Sequence, residues 1–275
     1  MAIKLYRPTT PARRYYMVSS HEGLSRSGPR RQLLEPHKKH GGRNNTGRVT
    51  ARRRGGGEKR FYRVIDFRRD KTGVLGKVAA IEYDPNRTAR IALVKYLDGE
   101  YRYILCPEGV RPGDSVAAGR NLPVRAGNAM PLSDIPVGVE IHNLQILPES
   151  RSFMVRSAGT AAQILAREES WAVVKLPSGE IRRFDLRCSA TIGRVSHAEH
   201  KDVSLGKAGR VRHRGWRPRS RAVAMNPVDH PMGGGEGKSS GGRHPCSPNG
   251  MIAKGFKTRN RKKASSRLIL SRRRK

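Results

Sequence analysis

The sequence predicts a mainly β protein in which two small barrels stand between long, basic and irregular extensions. Three observations predict this fold class. Positive charge is concentrated at both ends of the chain, the middle consists of short β-type segments separated by tight turns, and the ends are interrupted by glycine and proline. The 275 residues include 57 Lys and Arg against 22 Asp and Glu, a net charge of +35 that indicates nucleic acid as the partner.

The charge is unevenly distributed along the chain. Residues 1–60 have a net charge of +13, residues 61–200 of +4 and residues 201–275 of +18. The nearly neutral centre is long enough for two compact cores and too short for one large α/β enzyme. The ends repel themselves and bury little, so we expect them to become ordered only on a polyanion.

Several other classes of protein are disfavoured. With 5% aromatic residues and no run of 18 apolar residues, the chain has neither an amphipathic anchor nor a membrane span. The first fourteen residues contain charges and prolines where a secretory signal is apolar, so we expect a cytoplasmic protein. Cys106, Cys188 and Cys246 are far apart and lack zinc-ligand spacing, which predicts no disulfide frame and no metal site.

Residues 1–60 are predicted to form the N-terminal extension, since no period of 2 or 3.6 is sustained there. Its last part combines cations with bare glycine backbone, so that guanidinium groups and amides can meet phosphates together. A solvated charge run is the alternative. The candidate RNA-binding residues here are Arg43, Asn44, Asn45, Arg48, Arg52, Arg53, Arg54, Lys59 and Arg60.

Residues 61–125 are predicted to form the first barrel, with Arg68 and Arg69 as RNA-binding candidates at its start. Segments 91–97 and 100–105 are joined by Asp98-Gly99, a signal for a type I′ hairpin. About five short strands with tight turns suit an OB-type barrel, although a small sandwich is also compatible.

Residues 126–196 are predicted to form a second small barrel, with Arg156 as an RNA-binding candidate. The alternation of apolar residues changes register near His142-Asn143, as a β-bulge would cause. Segment 161–169 could form a helical turn. Segments 171–176 and 180–186 flank Pro177-Ser178-Gly179, which predicts a hairpin.

Residues 197–275 are predicted to form the C-terminal extension, in which 217–245 is the most distinctive segment. Its prolines and glycines cannot build a core but can place bare backbone against an anionic chain; a disordered linker is the alternative. His197, His200 and His213 have no metal-ligand spacing and lie among cations. The RNA-binding candidates are Lys207, Arg210, Arg212, Arg214, Arg217, Arg219, Arg221, Asn226, Asp229, His230, Lys238, Arg243, Lys254 and Lys257.

Several long segments of the sequence, in the same order along the chain, resemble one known family over essentially the whole chain. They are MAIKLYRPTTPARR, GGRNNTGRVTARRRGGGEKRFYRVIDFRRDK, EYDPNRTARIALVKY, GNAMPLSDIPVGVEIHNL, RSAGTAAQILARE, GKAGRVRHRGWRP and AMNPVDHPMGGGEG. These segments are similar to the bacterial-type second protein of the large ribosomal subunit.

The resemblance implies an OB-type barrel followed by an SH3-like barrel, between extensions that thread through rRNA. It also implies primary binding to large-subunit rRNA, support of the region near the peptidyl transferase centre, and a bridge to small-subunit rRNA or protein. Other ribosomal proteins are the further partners. We expect no cofactor, no small-molecule substrate and no membrane partner.

The chain departs from the family's usual sequence at several positions. Met232 stands where the loop generally has a second histidine, Arg53 and Glu58 replace histidines around the triple glycine, and Asn249 replaces a tryptophan. The stretch 148–154 lacks the usual glycines. A role that needs two loop histidines is therefore not expected.

A structural rRNA-binding protein is the function that these features favour. A DNA-compacting protein would need a groove-reading helix or a dimer motif, and neither is present. An acyl-transfer enzyme using His230 would need a nucleophile and a dry pocket, which the glycine-rich loop does not offer. We therefore predict no catalytic residue.

Overall fold

Antiparallel β-sheets account for most of the regular structure. The computed structural model describes residues 3–260 and 262–273. The chain divides into two compact units. Unit 1 comprises Met1–Lys38, Lys59–Lys207 and Arg267–Lys275, and unit 2 comprises Lys39–Glu58 and Ala208–Ser266.

The first 38 residues belong to unit 1 and contain short elements where the sequence predicts an irregular arm. The elements are β1 (Ile3–Leu5), α1 (Pro11–Arg14), β2 (Met17–Ser19), a 3-10 turn (Arg31–Leu33) and β3 (Leu34–Pro36). β1 pairs with β2, and β3 pairs with β4 (Phe61–Arg63). Leu24 and Leu33 pack against buried clusters of the first barrel. Single leucines thus anchor this segment without producing a periodic pattern.

The first barrel is built on a four-stranded antiparallel sheet. Its strands are β5 (Gly76–Glu82), β6 (Ile91–Tyr96), β7 (Tyr101–Leu105) and β8 (Ser115–Val116), in the order β7-β6-β5-β8. Together with β4 they make the five short strands expected between residues 61 and 120. A register shift between Val78 and Ala80 bends β5, as a bulge does when a sheet curls.

The turn between β6 and β7 is not the predicted type I′ turn. Lys95 pairs with Tyr101, and the Gly99 amide donates to the Tyr96 carbonyl at 3.0 Å. Gly99 has a φ of 86°, whereas Asp98 does not have a positive φ. Because type I′ needs positive φ at both central residues, this connection is a longer loop that ends on a left-handed glycine. Gly179 has the same φ in the second barrel's hairpin, which is present as predicted.

The second barrel is built on a seven-stranded antiparallel sheet with the order β15-β13-β12-β11-β10-β14-β9. The strands are β9 (Ala129–Pro131), β10 (Glu140–His142), β11 (Ala162–Arg167), β12 (Trp171–Lys175), β13 (Ile181–Asp185), β14 (Ser189–Ile192) and β15 (Ile269–Ser271). At the predicted change of register, Asn143 has a φ of 50° and the next residue, Leu144, is buried. The predicted mainly β fold, an OB-type barrel followed by an SH3-like barrel, is confirmed.

The possible helical turn at 161–169 is wrong, because this segment contains β11. Ala162 and Ile164 are buried and Gln163 is exposed, which is the alternation of a half-buried strand. The register shifts between Ile164 and Ala166. This irregularity interrupts the alternation and hides the strand in the sequence.

Three apolar clusters form the cores of unit 1. One fills the second barrel around Ile141, Leu144 and Phe184, and another fills the first barrel around Val94 and neighbouring residues. The third lies on the other side of the first sheet and includes Val195, which follows the second barrel. The two barrels therefore share apolar packing and belong to one unit.

The described part of unit 2 contains no apolar core comparable to those of unit 1. Its regular elements are α2 (Ala208–His213) and a 3-10 turn (Ala222–Ala224), and a further 3-10 turn (Ala264–Leu268) begins in it. The 3-10 turn Ala198–Asp202 belongs to unit 1. Among the described residues of unit 2, His230 is the single residue that is fully buried. Backbone hydrogen bonds and close glycine contacts hold this unit together instead of apolar burial.

The observed division differs from the four segments that the sequence predicts. The predicted N-terminal extension is shared between the units, because 3–38 packs in unit 1 and 39–58 lies in unit 2. The end of the predicted C-terminal extension returns to unit 1 as β15, where Arg182 pairs with Ile269. The apolar run Leu268-Ile269-Leu270 is suited to this strand.

In the described ranges 3–260 and 262–273, none of the helices has the length and apolar character needed to cross a membrane.

Candidate nucleic-acid interface

Most of the predicted RNA-binding residues lie in unit 2 with exposed side chains. Unit 2 contains 20 Lys and Arg against 3 acidic residues, a net charge of +17 over 79 residues. Of the 26 predicted residues, 20 are in this unit. The exposed ones are Arg43, Asn44, Asn45, Arg48, Arg52, Arg54, Arg212, Arg214, Arg217, Arg219, Arg221, Asn226, Asp229, Lys238, Arg243, Lys254 and Lys257. Arg53 and Arg210 are partly buried.

The triple glycine of the N-terminal segment pairs with the RGW segment of the C-terminal extension. Gly55 donates its amide to the Gly215 carbonyl at 3.0 Å, and Glu58 donates its amide to His213 at the same distance. A Cβ on Gly57 would lie 2.7 Å from the Gly215 nitrogen, so a side chain has no room there. The glycines that the sequence assigns to phosphate contact therefore also make close backbone pairing possible.

This pairing brings arginines from two distant parts of the chain together. The Arg217 amide donates to the Arg53 carbonyl at 3.0 Å, and the Arg53 guanidinium donates to the Pro218 carbonyl at 2.6 Å. The Arg54 guanidinium lies over the Trp216 ring, 3.4 Å from its centroid. Exposed Arg52 and Arg214 flank the paired strands. The result is a concentrated cationic surface, as a polyanion requires.

Asn44 organises a loop as well as being exposed. Its Oδ1 accepts hydrogen bonds from the amides of Thr46 and Arg48 at 3.1 and 3.0 Å, and the Arg43 guanidinium donates to the Gly47 carbonyl at 3.0 Å. Short polar side chains commonly fix turns in this way. The loop thus holds the exposed Arg48 and Asn45 in a defined conformation.

His230 is buried, unlike the other predicted RNA contacts of unit 2, and its assignment as an RNA contact stays a prediction. The side chain is 4% exposed, and its Nδ1 accepts the Met232 amide at 3.0 Å. Nδ1 is therefore the unprotonated ring nitrogen. The amides of Asp229 and His230 both donate to the Asn226 carbonyl, at 3.0 and 3.2 Å, so the ring lies inside a tight turn. Sequence reasoning missed this because it treated the loop as bare backbone.

The glycines that follow His230 have two different environments. A Cβ on Gly233 would lie 2.5 Å from the Met225 carbonyl oxygen, and one on Gly241 would lie within 2.4 Å of the Met232 methyl group. Gly237 and Gly242 face open space. Gly233 is therefore needed for the loop to fold on itself, because a side chain there would clash with backbone, whereas the Met232 methyl group near Gly241 ends a flexible side chain that can move. Gly237 and Gly242 leave backbone accessible to another chain.

Unit 1 contributes a second basic site, a cavity of about 590 Å³ lined by aromatic and arginine side chains. The Arg156 guanidinium lies 4.4 Å from the Phe67 ring centroid, and that of Arg151 lies 4.8 Å from the Phe153 centroid. Arg87 lines the same cavity and is held by Asp84, with Nε 2.5 Å from Oδ2.

The cations of this cavity are close enough to affect one another. Burial and the nearby charges of Arg87 and Arg151 lower the pKa of Arg156 from its ordinary value. A bound phosphate would relieve this like-charge crowding. Arg156 is among the residues predicted from sequence and Arg87 and Arg151 are not, because only the fold brings these three residues together.

The other predicted residues of unit 1 differ in accessibility. Lys59, Arg68 and Lys207 are exposed, and Arg60 donates to the Pro85 carbonyl at 2.7 Å. Arg69 is 6% exposed and donates to the carbonyls of Ala117 and Gly127 at 3.3 and 3.0 Å. The guanidinium thus ties together the backbone at residues 117 and 127, and the assignment of Arg69 as an RNA contact stays a prediction.

His197, His200 and His213 have different neighbours. The rings of His197 and His200 pack edge to face with centroids 5.1 Å apart, while His213 lies 3.3 Å from Glu58 in unit 2. Within the part of the chain that the structure describes, no three His, Cys, Asp or Glu side chains form a cluster that could hold a metal ion.

Comparison with protein families gives two adjacent matches that together cover more than three quarters of the chain. Residues 30–118 match the model described as Ribosomal Proteins L2, RNA binding N-terminal domain. Residues 125–250 match the model described as Ribosomal Proteins L2, C-terminal domain. The first match covers the paired glycines and the first barrel, and the second covers the second barrel and most of the basic segment in unit 2.

Proposed function

The chain belongs to the ribosomal protein L2 family, whose members are structural rRNA-binding proteins of the large subunit, and we propose a more specific role within that subunit. In this role, unit 2 is embedded in large-subunit rRNA and supports the region near the peptidyl transferase centre. The protein also contributes to a bridge with small-subunit rRNA or protein and so to subunit association. It acts as a structural component of the cytoplasmic ribosome.

One observation carries the proposal: unit 2 has a net charge of +17 and one fully buried described residue. A segment of this kind gains little from apolar burial and is destabilised by its own charge. Dense rRNA supplies the missing counter-charge. Small glycine-rich turns can also enter RNA where a packed domain would not fit.

The loop around Val228 supports placement of unit 2 deep in the subunit. Val228 is 92% exposed and precedes exposed Asp229, while His230 holds the turn from inside. The loop therefore presents a narrow tip on a fixed base. Such a tip can approach a functional region of rRNA without contributing a catalytic group.

Directed cleavage of rRNA tests this placement. A cysteine at Val228 (V228C), in a C246S background, would carry a tethered Fe-EDTA group in reconstituted large subunits. We expect cleavage in rRNA strands that surround the peptidyl transferase centre. The matched control is L97C on the first barrel, where the native leucine is 81% exposed. If V228C cleaves only peripheral rRNA, the placement near that centre is wrong.

Two simpler measurements test incorporation and bridging. The protein should cosediment with large subunits through a high-salt wash, as an embedded component does. Subunits that contain it should associate with small subunits, and subunits reconstituted without it should associate poorly. Removal by the wash, or normal association in its absence, would contradict the proposal.

A further inference from the structure

We propose that Trp216, stacked on Arg54, is a platform for one unpaired nucleobase of RNA. This inference rests on the proposed RNA-binding function and adds the chemical class of the ligand. Trp216 is 45% exposed, and the Arg54 guanidinium lies 3.4 Å from its ring centroid. An indole offers a large flat face, and stacking of a base on such a face tolerates any of the four bases.

The backbone of Trp216 is fixed at several points. Residues 54 and 216 form an antiparallel bridge, and the neighbouring Gly55 donates its amide to Gly215 at 3.0 Å. The Arg212 guanidinium donates to the Trp216 carbonyl at 3.0 Å. A backbone held in this way loses little conformational freedom when a base binds. The exposed indole is therefore carried on a fixed support, and its ring contact with Arg54 further limits its rotation.

Arg54 adds affinity without covering the whole site. A guanidinium that lies flat on an aromatic ring still has N–H donors at its edge. These donors can bond a phosphate or a base carbonyl while the indole packs on the base. Exposed Arg52, Arg214 and Arg217 surround the pair and can follow the sugar-phosphate chain on either side. This combination of stacking surface and cationic track is typical of single-stranded RNA binding.

The principal alternative is a latch that only holds the two paired segments together. The pairing already has backbone bonds from Gly55, Glu58 and Arg217, so the ladder does not depend on the ring stack alone. The described residues of unit 2 also form no apolar cluster that would bury the indole.

Fluorescence gives a direct test, because the chain has two tryptophans and W171F leaves Trp216 as the single reporter. The full chain is titrated with hexaadenylate RNA and with an abasic hexamer that has the same sugars and phosphates. We expect hexaadenylate to quench Trp216 and the abasic hexamer to bind without quenching. Anisotropy of labelled RNA measures binding independently of quenching.

Substitutions separate stacking from charge. W216L should weaken hexaadenylate binding about tenfold, since base stacking contributes about 1–3 kcal/mol, and should change abasic hexamer binding less than about twofold. W216F retains a smaller ring and should give an intermediate loss. If W216L unfolds unit 2, binding of both RNAs is weakened equally. The quenching comparison in W171F and the RNA binding of W216F then distinguish base stacking from charge.

Two outcomes would overturn the inference. One is hexaadenylate binding without quenching in W171F; the other is W216F and W216L variants that lose no preference for hexaadenylate over the abasic hexamer. Either outcome leaves phosphate binding intact, so the proposed rRNA-binding function would stand. Loss of binding to a structured rRNA fragment by the unmodified chain would instead remove that function.

Discussion

Units 1 and 2 carry almost the same net charge but are held together in different ways. Unit 1 has a net charge of +18 over 196 residues, and unit 2 has +17 over 79 residues. Unit 1 contains three apolar clusters, whereas the described part of unit 2 has one fully buried residue, His230. The charge per residue is thus more than twice as high where the apolar core is missing.

From this comparison we expect a single chain to combine a self-sufficient fold, unit 1, with a segment that depends on its RNA partner, unit 2. In unit 1, apolar burial opposes the loss of chain entropy, so the barrels need no RNA to fold. In unit 2, backbone pairing and glycine contacts define a conformation but add little free energy. Counter-charge from RNA is therefore expected to stabilise unit 2 far more than unit 1.

The largest expected effect is the salt dependence of RNA binding. If six to ten phosphates are neutralised, affinity for a structured rRNA fragment should fall about 10³ to 10⁵-fold between 50 and 200 mM salt. Replacing Arg217, Arg219 and Arg221 by glutamine should reduce the slope of log affinity against log salt by about 2 to 3. Filter binding at several salt concentrations measures both.

The matched control removes the same charge from unit 1. Glutamine at Arg111, Arg120 and Arg125, all exposed, should change the slope much less. Equal changes in the two triple variants would mean that net charge, not the surface of unit 2, drives binding. We also expect folded RNA to be preferred over duplex DNA of equal length, because the protein reads shape and the 2′-hydroxyl.

The second prediction concerns local stability without RNA. Amides of unit 2 should exchange with solvent at least about a thousandfold faster than those of β6 or β12, because opening a segment without a core costs little. Limited proteolysis should cleave first within 39–58 and 208–266 and spare the barrels of unit 1. Addition of an rRNA fragment should slow exchange in unit 2. Strong protection of unit 2 in the free protein would contradict the comparison.

The third prediction compares apolar truncations in the two units. Ile141 is buried in the second barrel, and I141A should lower the free energy of unfolding by about 2–5 kcal/mol. Val211 is 38% exposed in unit 2. V211A should change the free energy of unfolding by less than about 0.5 kcal/mol. Urea unfolding followed by circular dichroism gives both values. A large loss from V211A would reveal a core in unit 2.

The fourth prediction is a pH dependence confined to unit 1. Burial lowers the pKa of His142 to about 4, and its Nδ1–H donates to the Gly193 carbonyl at 2.7 Å. The unfolded state, with an ordinary histidine pKa near 6.5, binds more protons between these values. The contribution of neutral His142 to the free energy of unfolding is therefore fully present above about pH 6.5. It is lost as the pH decreases toward 4.

This effect should amount to about 2 kcal/mol between pH 7 and pH 5. Urea unfolding at both pH values measures it. H142N removes the titrating group and should flatten this part of the profile, whatever its own cost at pH 7. An unchanged profile in H142N would assign the dependence to other groups.

The smallest expected effect concerns chemistry at His230. Assembled large subunits that contain H230N or H230Q should form peptide bonds at near-normal rates once incorporation is equalised. General-base catalysis contributes about 10² to 10⁴-fold, so a loss of that size in fully assembled particles would show that the ring is catalytic. Puromycin reaction rates on purified subunits provide the measurement.

The pair of substitutions also tests the structural role of the ring. Asparagine can place an acceptor near the position of Nδ1 and keep the Met232 hydrogen bond, whereas glutamine places its acceptor further out. We therefore expect H230N to assemble better than H230Q. The reverse order would argue against this hydrogen bond as the reason for the buried histidine.

The amount that could be predicted from sequence differs between the units. In unit 1, short strands and turn residues predicted most elements, and the errors lie where a bulge interrupts alternation in β11 or where a glycine changes the turn type. In unit 2, charge predicted the partner but not the conformation. His230 is an example: its sequence context suggested exposure, while the turn at Asn226 encloses it.

By itself, the sequence determined the class of partner, the mainly β centre and the family. Charge, turn residues and family-specific sequence segments are all local properties of the chain. Only the tertiary structure decided which distant segments meet. It placed Gly57 against Gly215, Arg54 on Trp216, and Arg87 beside Arg151 and Arg156. It also removed Arg69 and His230 from the exposed surface. Such contacts depend on close approach between residues far apart in the chain, which no local pattern records.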